Sequence, residues 1–277
     1  MSSNVVSVIS VPRLAATGKV TQARVAASEW TKLHSLRSTR WSLAVAVILT
    51  IGLPLLFATI VGTHWAHMSP QDRANRQPLD IALAGVNLSQ LAIAVLGVLI
   101  ITGEYSTGMI RASFTAVPKR LPVLWAKLGV YALVVLALAV PSVLIAFWGS
   151  QRILAQHHIL QISLTHPGVL RSVLGGALYL VVLGMFAMAV GAIVRNTAGG
   201  IATFAAIFFV IPPLMNILPT SWNNAISPYL PDAAGRDVFS LTHGPHDLAP
   251  GPGFALFCGY TALAIAIAAV LLVRRDT

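Results

Sequence analysis

Only eight of the 277 residues are acidic, and Glu104 holds the most demanding position among them. The segment Ile101-Thr-Gly-Glu-Tyr-Ser-Thr-Gly-Met-Ile-Arg111 follows 23 residues without a charge, Ile81 to Gly103. A carboxylate at the C-terminal end of an apolar helix opposes the helix macrodipole by roughly a few tenths of a kcal/mol. Something else should therefore hold it, and Arg111, Lys32 and Arg37 are the candidate partners. Beyond Gly103, Glu104 and Tyr105, either Ser106 or Thr107 can cap a new short helix. That helix would begin Gly108-Met109-Ile110-Arg111 and close at Pro118. A stiff projecting helix of this kind is a handle through which a partner protein can move the preceding helix. The plain alternative is helix punctuation with a solvated glutamate.

Other residues able to do chemistry are sparse. Asn87, Ser89 and Gln90 cluster in one apolar run, and Thr203 and Asn216 are weaker members of the same class. Polar groups at such positions either line a substrate path or bond one helix to another. Seven of the eight histidines (His64, His67, His157, His158, His166, His243 and His246) gather in or beside three connections. Two pairs are spaced three apart, which suits a zinc or copper site as well as it suits ordinary loop polarity. Hydrolysis would need a nucleophile with a base, or paired carboxylates. The acids lie only at edges and in loops, so the chain is not expected to be an enzyme. The one cysteine, Cys258, excludes a disulfide framework.

The elements that must position these residues follow from composition. Hydrophobic residues make up 56% and charged residues 9%, with mean hydropathy +0.80; soluble domains carry about 25% charged residues. Six charge-free runs are long enough to cross a hydrocarbon core: 41–63, 81–103, 128–150, 172–194, 196–217 and 254–273. Without water each must close its own backbone hydrogen bonds, so each is expected to be a helix. The expected fold is an all-α membrane protein of six transmembrane helices, with residues 1–19 a loose tail and 20–277 one membrane domain.

Charge orients it. Thirteen of the 18 lysines and arginines fall on the side of the two termini, and the five on the other side are balanced by five aspartates. Lys and Arg are biased toward cytoplasmic loops, which puts both termini in the cytoplasm. The net charge of +10 is thus an orientation signal rather than a sign of nucleic-acid binding. Residues 20–40 read as a basic amphipathic helix lying in the inner interface, with Ala23, Ala26, Trp30, Leu33 and Arg37 on one face. Glu29 and Lys32 lie on the same helix. Gly184, Ala187 and Gly191 are small residues that permit close approach within an expected tight pair of spans four and five. Residues 218–231, LPTSWNNAISPYLP, are too apolar for an exposed loop, and are expected to dip into the outer interface or re-enter the membrane.

Three segments carry a resemblance: SEWTKLHSLRSTRWSLAVAV, GVLIITGEYSTGMIRASFTAVPKRLPVLWAKL and AIVRNTAGGIATFAAIFFVIPPLMNILP. They resemble the type-2 permease family of ATP-binding-cassette (ABC) transporter membrane subunits, particularly the stand-alone permeases common in actinobacteria. The likeness runs from about Ala27 to the C-terminus and is weakest in the loops. It implies an interfacial helix before six spans, and a coupling helix between spans two and three that enters a cleft of the ATPase. On that basis Gly103, Glu104, Tyr105, Ser106, Thr107, Gly108, Met109, Ile110 and Arg111 include the coupling element. The interfacial helix contributes Glu29, Trp30, Lys32, Leu33 and Arg37. The resemblance further implies re-entrant gate helices between spans five and six, a second permease copy, two ATPase copies, export, and the plasma membrane. No G-x-x-x-x-G-K-[ST] occurs, so ATP and Mg would be bound by the partner ATPase and no cofactor by this chain. The rival is a membrane anchor or immunity protein that does not transport, in which a coupling helix would have no purpose.

Overall fold

A run that cannot hydrogen-bond to solvent must form a helix, and the computed structural model, which describes residues 21–74, 76–106, 108, 120–242 and 244–274, contains helices and no strand among those residues. Six helices are long and apolar enough to cross a membrane. They are span one (Arg37–His67), two (Pro78–Ser106), three (Leu121–Gln156), four (Val169–Val194), five (Thr197–Met215) and six (Pro250–Arg274). The chain is a multi-pass helical membrane protein. The tail 1–19 and the helix expected after Thr107 lie outside the described residues, apart from Gly108.

Most spans outrun their apolar cores. The helix of span three runs from Arg120 to Gln156, 37 residues, or about 55 Å at 1.5 Å per residue. The hydrocarbon layer is only about 30 Å thick, so both ends of this helix reach past it. Span four is the most enclosed of the six and span five the least. Aromatic rings link spans four, five and six: Phe186, Phe204, Phe208 and Phe257 stack or meet edge to face, with Phe204 and Phe208 4.5 Å apart.

Proline shapes two spans. Pro54 lies inside span one and has no N–H for the carbonyl of Thr50 one turn earlier. Gly85 of span two packs its Cα against that same carbonyl, and a methyl group there would meet Thr50 O and Leu49 O. In span five, Pro212 and Pro213 follow a π-helical turn, Ala206–Val210, across which Ile211 N–H reaches back to Ala206 O. The wider turn makes room for rings that would clash with a regular α-helix. The single helix expected over 196–217 is therefore three consecutive pieces.

The small residues of span four serve spans two and three as well as the expected neighbour, span five. Gly184 O lies 2.5 Å from where a side chain on Gly97 would begin, and Gly191 sits against Val98 and Ile101. Both contacts are with span two, while Gly184 also receives the Tyr131 ring of span three. Span five meets span four at its start, where Gly200 faces Gly191. The turn between them is short, Arg195 and Asn196, and Phe186 of span four meets Phe208 of span five further along.

Candidate functional site: a four-membered ionic cluster at the basic end

The N-terminal helix runs Gln22–Ser35, shorter than the 20–40 expected. Leu36 is extended, and Arg37 begins span one instead of ending the first helix. One face of this helix packs on the bundle. Val25, Glu29 and Leu33 are buried, whereas Ala23 and Trp30 are exposed. Val25 packs on Val123 and Ala126, and Leu33 on Val130 and Val134, so the helix lies along the first turns of span three. Gln22 Nε2 donates to Pro122 O across the same seam, at 2.9 Å.

This docking gathers four charges from three elements. Lys127 Nζ donates to Glu29 Oε2 at 2.6 Å and to Glu104 Oε1 at 2.9 Å. Lys32 Nζ donates to Glu29 Oε1 at 2.7 Å and to Glu104 Oε1 at 3.0 Å. The two carboxylates and Lys127 are each at most 10% exposed in their side chains, and Lys32 27%. The formal charge of the cluster is zero. Burial alone would pull the Lys32 ammonium down, but its hydrogen bond to Glu29 and the charge of Glu104 outweigh that and raise its pKa.

The question posed by Glu104 is thereby answered. It closes span two in spite of the macrodipole because two ammonium groups converge on one of its oxygens. Lys32 is an expected partner; Arg37 is exposed on span one, and Arg111 lies outside the described residues. Lys127 was not anticipated. Its signal was available, since it opens the third apolar run as Glu104 closes the second, and antiparallel neighbours bring those edges together. Arg195 adds a second tie at this end, donating to Leu271 O of span six at 3.1 Å with its guanidinium 5.0 Å from the Tyr105 ring.

The remaining candidate residues sit as follows. Gly103 and Ser106 belong to the last turns of span two, where the Ser106 hydroxyl donates to Gly103 O at 3.0 Å. Gly108 has φ +70, which favours glycine. Thr107, Met109, Ile110 and Arg111 fall outside the described residues. Ser89 and Gln90 are wholly buried; Gln90 bonds to Asn87 O within its helix and accepts from the Tyr179 hydroxyl of span four at 2.6 Å. Thr203 bonds within its own helix, and Asn216 is exposed beyond span five.

At the opposite end the fifth connection forms short helices, Thr220–Ile226 and Pro231–Arg236, with the turn Ser227–Tyr229 between them. It is clamped to the bundle. Gly235 lies against the rings of Tyr179 and Phe257, and the Tyr260 hydroxyl donates to Tyr229 O at 2.9 Å. Asp232 pairs with Arg236 at 2.9 Å. Asp237 is buried beside Gly253, at the start of span six. Burial, then repulsion from Asp247, pushes its carboxyl up to about 6. His64, His158, His166 and His246 are exposed, and the His157 ring fills a notch at Gly62. No group of three or more His, Cys, Asp or Glu able to hold a metal occurs among the described residues.

No protein-family model matches this chain, and no curated protein matches it at a significant level.

Proposed function

We propose that this chain is the membrane-spanning permease subunit of an ABC exporter in the plasma membrane, with both termini cytoplasmic. Two permease copies, identical or similar, enclose the path. Two copies of a separate ATPase bind ATP and Mg and supply the work.

The observation that carries this reading is the ionic cluster. It binds the N-terminal helix, the exit of span two and the entry of span three into one unit, next to the segment 107–119 that the ATPase would hold. Separate surface loops would dissipate a displacement of that segment. A unit joined by four charge-assisted bonds, 2.6–3.0 Å long and two of them buried, passes it to two spans at once. The fully buried Gln90–Tyr179 bond supports the helix-bonding role for that residue, leaving Asn87 as the stronger path candidate in span two.

The test is co-expression with the ATPase encoded by the adjacent reading frame. The proposal expects a stable complex whose ATP hydrolysis depends on this chain. Absence of any neighbouring Walker-type ATPase, or hydrolysis indifferent to the permease, would favour the anchor.

A further inference from the structure

Residues 231–239 seat the fifth connection between spans four and six, at points where glycine lets backbones touch. A side chain on Gly175 of span four would begin 2.7 Å from Val238 O, and one on Gly253 of span six would begin 2.8 Å from Asp237 Oδ2. Ala234, Val238 and Phe239 are buried by this docking. Asp237 is the misfit in the seam. It is 8% exposed, and among the described residues its buried Oδ2 has no hydrogen-bond partner. A helix start normally offers N–H donors, but span six begins Pro250-Gly-Pro-Gly253. The two prolines have no N–H, and the Gly253 N–H is bonded to Ala249 O at 2.9 Å. The backbone group bordering the same point is Ala234 O, 3.0 Å from it. That acceptor suits a protonated carboxyl and not an ionised one.

No cation among the described residues pairs with Asp237. On its own short helix Asp232 and Arg236 pair with each other at 2.9 Å. Asp247, in the loop before span six, repels a negative charge here, and His246 beside it is exposed. On span four, Arg171 donates to Ser240 O at 2.8 Å and the Tyr179 hydroxyl donates to Gln90. The π turn of span five has no charge, and span six has none before Arg274, its titratable groups there being Cys258 and Tyr260. A buried carboxyl without donors or a counter-ion favours its neutral form.

We propose that Asp237 is a proton-operated latch: protonated, it keeps 231–239 seated between spans four and six, and ionised, it releases that stretch. Release uncovers the rings of Tyr179 and Phe257, against which Gly235 now lies. Acid on the side of the membrane opposite the ionic cluster therefore locks this end of the bundle, and neutral pH loosens it. Asp237 titrates at about 6 when docked and near about 3.9 when free. Raising the pH from 5 to 7.5 then favours the undocked state about tenfold. The latch needs only the docked geometry, so it stands or falls separately from the ATPase reading.

The test is hydroxyl-radical footprinting of the full chain in nanodiscs from pH 5 to 7.5. Oxidation of the buried Phe239 is read against that of the exposed Tyr229. The ratio should rise with pH, by up to about tenfold, while Phe147, buried on span three, stays protected throughout. Asp237→Asn, neutral at every pH and nearly the same shape, should hold the ratio at its pH 5 value. Should that variant fail to fold, the exposed Asp247→Asn removes the repulsion and should move the rise to lower pH. A flat or falling ratio in the original chain, a rise that Phe147 shares, or a rise that survives Asp237→Asn would overturn the latch. So would a rise that Asp247→Asn leaves at the same pH.

Discussion

Replacing Lys127 by methionine keeps the length and apolar stem of the side chain and deletes only its charge. Lys127 bridges Glu29 and Glu104 at 2.6 and 2.9 Å, and all three side chains are at most 10% exposed. After the change Lys32 alone must serve both carboxylates, and the cluster goes from neutral to a net charge of −1. Removing one partner of a buried ion pair costs about 3–5 kcal/mol, because the remaining charge stays desolvated. For a chain of this size each kcal/mol moves the midpoint by about 2–3 °C, giving a loss of about 10 °C. Thermal unfolding in detergent, followed by tryptophan fluorescence, reads this directly. Hydrogen exchange should rise first in Gln22–Ser35, which the cluster holds against span three. The double variant Glu104→Gln/Lys127→Met restores neutrality and leaves Glu29 and Lys32 paired at 2.7 Å. It should recover about half of the loss, since contacting residues do not add independently. A Lys127→Met protein as stable as the original, or a double variant worse than the single, would refute the electrostatic reasoning.

Gly97→Ala places a methyl group 2.5 Å from the carbonyl of Gly184, which is backbone and cannot yield. It should cost about 1–3 kcal/mol by overpacking, whereas Gly259→Ala, with nothing within 4 Å, should be neutral or stabilising by up to about 1 kcal/mol; equal unfolding midpoints would contradict the close packing of spans two and four. Asp237 titrates near 6 in the folded chain, above an unfolded value of about 3.9. Its contribution to stability is therefore fully present below about pH 4 and lost as pH rises through 6. Hydrogen-exchange protection in 231–239, corrected for the intrinsic pH dependence of amide exchange, should be higher at pH 5 than at pH 7.5, and Asp237→Asn should flatten that difference; pH-independent protection in the original would count against the burial described. In a Cys258→Ser background, Trp65→Cys should react with an impermeant thiol reagent added to whole cells, and Met109→Cys should not. Both reacting from outside would contradict the membrane crossing between them.

The spans were legible because charge-free runs of 20 or more residues have one stable form in lipid. Their ends were less so, since a helix continues past its apolar run until something stops it. Span three gains Leu121 to Lys127 in this way. Pro212-Pro213 announced a disturbance in span five, though not that a π turn would absorb it. On the N-terminal helix two stripes competed. The stripe with Trp30 was expected to meet the membrane interface, and the stripe Val25, Glu29, Leu33 is the one that packs on the bundle. Its glutamate makes it look polar until its partner is known. That partner, Lys127, is 98 residues away, and Gln90 and Tyr179 are 89 apart. Such pairings depend on which helices are neighbours, and local periodicity carries no record of that.

The central claim is that the basic end of this bundle receives mechanical work from an ATPase. A photo-crosslinking amino acid at Met109, in cells that also express the neighbouring ATPase, tests it most directly. The account predicts a light-dependent adduct of the two chains that is absent when the crosslinker replaces Trp65. An adduct from Trp65 and none from Met109, or none from either position in a complex that co-purifies, would contradict it.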